Sequence, residues 1–259
     1  MTIALGILTS DGFVIAADSE ISAGDYMSIE GHKVHGTMHF SNIEGQENGA
    51  IAITGAGDAA YLEGMFGDVS DLFSNTPILE AFEESMAKYL KIFYRDHIVP
   101  FWRQGDSVDV SLIVGARRGP YSRMWTTRRN RFIRCSEFYS AVGVGEMYAR
   151  SILGRICGDQ DAETSKLLAS YVIYLVKERI PGCGKQTNLI CLKRGATLAT
   201  SFTSRQLQSL ELLFKDYGRV EAGIWHWIFQ SAKGESTPLP SLEVLRSMVD
   251  EIVKSPSAK

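Results

Sequence analysis

Thr2-Ile3-Ala4-Leu5-Gly6-Ile7-Leu8-Thr9-Ser10-Asp11-Gly12-Phe13-Val14-Ile15-Ala16-Ala17-Asp18-Ser19 is the stretch whose reading decides the fold. Ile3 to Leu8 and Phe13 to Ala17 are apolar runs, and Ser10-Asp11-Gly12 between them supplies turn residues, so the spacing predicts a β-hairpin. Both runs are nearly continuous rather than alternating. A strand of that kind expects cover on both faces of its sheet.

Working outward, Val34 to Phe40 and Ala50 to Thr54 continue the strand pattern, with the polar loop Glu44 to Gly49 between them. Then the period changes to helical, from Asp58 to about Phe73 and from Pro77 to about Trp102. Leu79, Phe82, Met86, Tyr89, Leu90 and Phe93 form one stripe, and Thr76-Pro77 reads as an N-cap followed by a first-turn proline. Strands return at Val108 to Val114, Arg123 to Thr127 and Phe138 to Val142. Helical spacing follows at about Glu146 to Cys157 and Ala162 to Arg179, then a strand pair, Leu189 to Lys193 and Thr197 to Phe202, joined by Arg194-Gly195. Short links between strands favour antiparallel pairing. Two stacked sheets with a helix pair outside each would cover both faces of every strand.

Residues 204–259 follow this plan as a C-terminal helical extension of a domain spanning 1–203. Leu207, Leu210, Leu213 and Phe214 mark an amphipathic helix, and Ile224 to Phe229 an apolar segment. Lys233 to Pro240 reads as a linker and Leu242 to Val253 as a last short helix.

A chain of 259 residues, 45% hydrophobic and 22% charged, has the composition of a soluble globular protein. Its formal net charge of −3 argues against a dedicated nucleic-acid binder. No run of apolar residues is long enough to span a membrane. The N-terminus has no basic region before Ser10-Asp11-Gly12, so no signal peptide is expected. Cys135, Cys157, Cys183 and Cys191 form no CxxC pair and suit reduced thiols of a cytoplasmic protein.

The chemistry begins with Thr2. Removing the initiator Met1 would put a threonine at the chain terminus, where its own α-amine can take the hydroxyl proton. An α-amine titrates at roughly 7.7–8.0, near working pH. A lysine nearby lowers it further, and an aspartate keeps that lysine charged and oriented. Both types follow in order, Asp18 in Ala16-Ala17-Asp18-Ser19 and Lys33 in Gly31-His32-Lys33-Val34.

Together with Gly6-Ile7, Asp11-Gly12 and Ile53-Thr54-Gly55-Ala56-Gly57-Asp58-Ala59, these residues resemble the opening of proteasome β subunits and of the bacterial HslV peptidase and related proteasome-like bacterial proteins. Phe138 to Gly145 and Gly182-Cys183-Gly184 resemble their second half, and the resemblance covers roughly residues 2–202. It implies an α+β fold, the four-layer αββα sandwich of N-terminal-nucleophile hydrolases. It implies a threonine endopeptidase with Thr2 as nucleophile, Lys33 tuning its amine and Asp18 holding Lys33. The oxyanion donor it implies is the backbone N–H of a glycine after the Ala50–Thr54 strand, best matched by Gly55 once the register shifts by one. It implies a peptide or unfolded-protein substrate, a homo-oligomeric ring and room for a separate ATP-dependent unfoldase, with no cofactor. Four positions depart from the family pattern: Glu20 in place of an arginine, Val144 and Cys183 in place of serines, and Ile180 in place of an aspartate. Two alternatives stay open, another amidase or transpeptidase reaction at the same site and a non-catalytic scaffold.

Other motifs have plainer readings. Gly55-x-Gly57 and Gly143-x-Gly145 lack the third glycine of a dinucleotide fingerprint. His32 points away from His35 and His39 on a strand, so no metal set is expected. Seven arginines between Arg117 and Arg134 fit exposed hairpin faces or an acidic neighbour better than a nucleic acid. Trp225 and Trp227 read as core or subunit contact.

Overall fold

Ser10 and Asp11 turn β1 (Ile3–Thr9) back into β2 (Gly12–Asp18), with Ala4 opposite Ala17 and Thr9 opposite Gly12. This hairpin is the centre of a four-stranded antiparallel sheet in the computed structural model, which describes residues 2–23, 27–31, 33–39, 49–104, 109–194 and 199–232. Further strands are β3 (Glu20–Ala23) and β4 (Met27–Glu30), which among the described residues pair only with each other, then β5 (Val34–His39) and β6 (Gly49–Gly57). Helices α1 (Ala59–Ser74) and α2 (Leu79–Phe93) follow, then a π-helical turn Tyr94–Ile98 and α3 (Val99–Gln104). The second half runs β7 (Val110–Arg118), β8 (Tyr121–Arg128), β9 (Arg131–Arg134), β10 (Tyr139–Gly143), α4 (Glu146–Ile156), α5 (Ala162–Arg179) and β11 (Thr187–Lys193). The sheets are ordered β10-β1-β2-β11 and β5-β6-β7-β8-β9.

The continuous apolar character of β1 and β2 has a direct cause: alternate residues enter two different cores. Ile3, Leu5, Ile7, Val14 and Ala16 pack with Ala149 and Leu153 of α4 and Ala169, Val172, Ile173 and Val176 of α5. Ala4, Phe13, Ile15 and Ala17 pack instead with Ala50, Ala52, Ile113 and Met124 of the second sheet. The opposite face of that sheet, with Ile51, Ile53, Leu112, Val114 and Trp125, is closed by Leu62, Met65, Val69 and Phe73 of α1 and Phe82, Met86 and Leu90 of α2. Fully burying one such side chain stabilises by about 1.5–3 kcal/mol, so the pattern specifies both the register and the element order.

Several sequence expectations are corrected. Thr76 does not cap α2; its hydroxyl donates to the carbonyls of Leu72 (3.0 Å) and Phe73 (3.2 Å) in the last turn of α1. The N-cap of α2 is Ile78, in extended conformation and without a side-chain bond. The single helix expected to reach Trp102 is interrupted by the π-helical turn, where buried Tyr94 donates to Val110 O at 2.9 Å. β9 was not expected because Arg131 and Arg134 mask it; Phe132 anchors it by stacking on Trp125 at 5.4 Å. The β3–β4 hairpin was also unforeseen. Of the last strand pair, Thr200 makes only an isolated bridge to Cys191, and residues 195–198 lie outside the described residues. So do the loop 44–48, the linker 233–240, the helix expected at 242–253, and His32.

The chain divides into two units, Met1–Ser201 and Phe202–Lys259. Among its described residues the second carries one continuous helix, α6 (Ser204–Ala232), which takes in both the stretch from Leu207 and the apolar segment Ile224 to Phe229. Thr203 opens it with a capping box: its hydroxyl accepts from Gln206 N at 3.3 Å, and Gln206 Oε1 accepts from Thr203 N at 2.9 Å.

Candidate active site

Thr2, Asp18 and Lys33 meet at the ends of three strands. Thr2 leads into β1, Asp18 ends β2 beside it, and Lys33 leads into β5 of the other sheet. The Lys33 ammonium donates to Thr2 Oγ1 at 2.8 Å and to Asp18 Oδ1 at 2.8 Å. All three residues are buried. The fourth expected residue, Gly55, is not beyond a strand but inside β6, opposite Leu112. Leu112 N donates to Thr127 Oγ1 and its carbonyl accepts from Thr126 Oγ1, so Leu112's polar groups face β8. By the alternation of an antiparallel pair, Gly55 then turns its own N–H away from β7 and toward the β5 side, where Lys33 stands. A Cβ on Gly55 would come within 2.6 Å of Leu62 and 2.7 Å of Ser111 O, so close packing also requires glycine there.

Asp18 is held from several directions. Its Oδ1 also accepts from Ile3 N at 3.1 Å, and its Oδ2 from Gly184 N at 3.0 Å. Burial pushes the carboxyl above the usual aspartate range, while the Lys33 charge and the bonds from Lys33, Gly184 and Ile3 pull it down. The lysine's backbone is fixed as well, because Thr54 Oγ1 donates to Lys33 O at 2.8 Å.

Three supporting positions escaped the reading of the sequence as functional. Ser19 donates through its N–H to Gln186 O (2.8 Å), accepts from Gln186 N on its hydroxyl (2.9 Å) and accepts from Gly31 N (2.9 Å). It thereby ties the end of β2 to the segment entering Lys33. Asn188 adds a bond from Nδ2 to Gly31 O at 3.2 Å. Gly143 has φ 102°, and a Cβ there would collide with the Thr2 carbonyl oxygen, so only glycine lets β10 close against the chain start. Its quoted Gly143-x-Gly145 spacing was the available signal.

The departures from the family pattern fall around this site. Cys183 is buried, and its thiol is pushed up to about 12 by burial and then by the Asp18 charge, so it stays protonated. Val144 is 51% exposed, and Ile180 packs against the α4–α5 core. Of the histidines, His35 stacks on Phe66 with ring centroids 6.2 Å apart. Among the described residues no group of three or more His, Cys, Asp or Glu is arranged to hold a metal, and no helix is long and apolar enough to cross a membrane.

No family model matches the chain, and no curated protein sequence matches it. Solved structures do. Anbu (ancestral beta-subunit) from Yersinia bercovieri superposes with TM-score 0.67 at 14% identity, over 86% of this chain and 97% of that one. The fold is proteasome-like. Anbu from Pseudomonas aeruginosa, solved as a helical assembly, gives TM-score 0.65 at 14% identity, over 93% of this chain and 99% of that one. HslV from Trypanosoma brucei gives TM-score 0.55 at 14% identity, over 74% and 99%. The Pseudomonas superposition spans more of the chain than residues 2–202 amount to, so part of the C-terminal extension has a counterpart in that neighbour. The likeness is to the proteasome-like fold that these neighbours share rather than to HslV in particular.

Proposed function

We propose that this chain is a threonine-type hydrolase that cleaves peptide bonds through Thr2. The observation that carries the reading is the Lys33 ammonium, 2.8 Å from both Thr2 Oγ1 and Asp18 Oδ1 in a buried setting. Removal of Met1 frees the Thr2 amine, which takes the proton from Oγ1 as that oxygen attacks the substrate carbonyl. The cation beside it lowers the amine's affinity for a proton and stabilises the developing alkoxide. Gly55 N–H is the proposed donor to the oxyanion, a role often worth ~3 kcal/mol. The ammonium so formed passes its proton to the substrate nitrogen as the C–N bond breaks and the amine product leaves. The acyl group rests on Thr2 until water, deprotonated by the regenerated amine, releases it.

The proposal includes the four-layer αββα sandwich, supported by the three cores that separate helix pair, sheet, sheet and helix pair. It includes a domain at 1–203 with 204–259 packed on it or on a neighbour, a homo-oligomer enclosing the sites, unfolded polypeptide as substrate, a separate unfoldase as partner and a cytoplasmic setting. The helical assembly of the Pseudomonas neighbour supports the oligomer.

A scaffold without catalysis is the second reading, favoured by exposed Val144 and apolar Ile180 where the family pattern has a serine and an aspartate. Hydrolysis of fluorogenic peptides separates the two. Thr2→Ala should lower the rate by on the order of 10³-fold or more, and Lys33→Ala by about 10²-fold. Turnover that survives Thr2→Ala in a purified preparation sinks the peptidase reading.

A further inference from the structure

The arginines between Arg117 and Arg134 take no part in the site, and the structure sorts them into two groups. Arg117 donates to Lys193 O at 2.6 Å and Arg118 to Thr76 O at 2.7 Å, both as buried struts, while Arg123 pairs with Glu80. The other four, Arg128, Arg129, Arg131 and Arg134, are exposed around the β8–β9 hairpin. Arg128 reaches Glu146 only at 4.0 Å, and among the described residues no carboxylate lies within salt-bridge distance of Arg131 or Arg134. β9 is the last strand of its sheet and pairs only with β8, so its outer main-chain edge has no strand partner among the described residues.

Charge on an edge strand deters indiscriminate pairing, which alone accounts for arginines there. It does not account for the cavity of about 330 Å³ between this hairpin and β10, whose wall includes Arg128, Arg134 and Arg150. Ser140 lines it too, at 1% exposure, and among the described residues its Oγ has no partner better than the Cys135 thiol. A buried hydroxyl in that state is unfavourable until an acceptor arrives. The Cys135 thiol beside it is pushed up to about 11 by burial and is a weak partner. Glu137, a carboxylate of the same wall, is engaged by the Tyr139 hydroxyl.

We propose that the β9 edge, its arginines and this cavity form a docking site for an extended acidic peptide segment. The segment's main chain runs along β9, and one Asp or Glu carboxylate enters the cavity toward Arg128, Arg134 and Ser140 Oγ, Arg150 being already paired with Glu146 at 2.9 Å. Main-chain bonds at a sheet edge supply affinity and a side-chain pocket supplies choice. Single-stranded nucleic acid fits less well, because it needs open aromatic faces. Trp125 is fully buried and stacked on Phe132, and the exposed Tyr121 stands at the opposite end of β8 from the Arg128–Arg131 turn.

Fluorescence anisotropy of the full chain with a labelled peptide alternating valine and glutamate tests the site. Saturable binding is expected, weaker by about tenfold or more in Arg128→Glu/Arg131→Glu. Ser140→Ala, which removes a buried hydroxyl with only a weak thiol partner and so spares the fold, should weaken it several-fold at unchanged charge. Thermal melts check that both variants stay folded. Absence of saturable binding, affinity unmoved by either change, or tighter binding of oligouridylate overturns the proposal.

Discussion

The backbone N–H of Gly184 donates to Asp18 Oδ2 at 3.0 Å, so the turn before β11 helps to set the carboxylate that faces Lys33. That turn and the β1–β2 hairpin lie far apart in sequence, and their meeting fixes which residues the site depends on.

Asp18 is the more costly partner of its ion pair to remove. Asp18→Ala strips the acceptor from Lys33, Ile3 N and Gly184 N at once and leaves a buried ammonium alone. The expected loss is about 3–5 kcal/mol. Lys33→Met should cost less, because a carboxyl already raised by burial takes a proton more readily than an exposed one and so need not stay charged without its partner. Urea midpoints for the two variants check the order; equal losses would contradict it.

The acid limb of activity should report Asp18. Its folded value is raised above 3.8, so it binds a proton at a higher pH than an exposed aspartate does. As pH falls through that raised value, Lys33 loses its counter-charge and turnover drops. For stability the sign is opposite to that of a carboxylate depressed by its partner. Relative to the unfolded chain the folded state holds the extra proton, so this group's contribution weakens as pH rises from the ordinary to the raised value. A pH–rate profile whose acid limb is unchanged in Asp18→Asn would assign that limb elsewhere.

Gly143→Ala should be severe although the position looks like a simple junction. The residue would need φ near 102° and would press a methyl onto the Thr2 carbonyl oxygen. A cost of about 1–3 kcal/mol from backbone strain alone is expected, with a larger fall in activity than Gly154→Ala produces, since Gly154 would meet only the Tyr139 hydroxyl at 3.1 Å. Parallel thermal melts and peptide assays make the comparison.

Much of this was legible in the sequence because two signals agreed. The continuous runs of β1 and β2 announced strands buried on both faces, and the two cores that receive their alternate residues show why each is apolar. Thr2, Asp18 and Lys33 were legible by type and order, since hairpin geometry brings position 2 beside position 18. What stayed hidden depended on partners distant in sequence. Thr76 has the type of a helix N-cap, but carbonyls in the last turn of α1 claim its hydroxyl. Phe132 among arginines shows no strand period until Trp125 and Phe82 are placed beside it. Ser19 reads as a turn residue, and only the fold brings Gln186 and Gly31 to it.

The extension beyond residue 203 should govern assembly. α6 runs unbroken from Ser204 to Ala232 with a capped start, and a helix of that length with an apolar stripe is stabilised by packing that stripe. Deleting 204–259 should change the oligomeric mass or expose apolar surface. Native mass and dye binding matching the full chain would argue that the extension is a free arm.

The most direct measurement is the intact mass of protein made in its own host, before and after a peptide epoxyketone, which captures an N-terminal threonine through its hydroxyl and amine. The account predicts a chain that begins at Thr2 and gains one adduct mapping to Thr2, with no adduct on Thr2→Ala. Met1 retained in protein that turns over substrate, or no adduct on a chain confirmed to begin at Thr2, would contradict it.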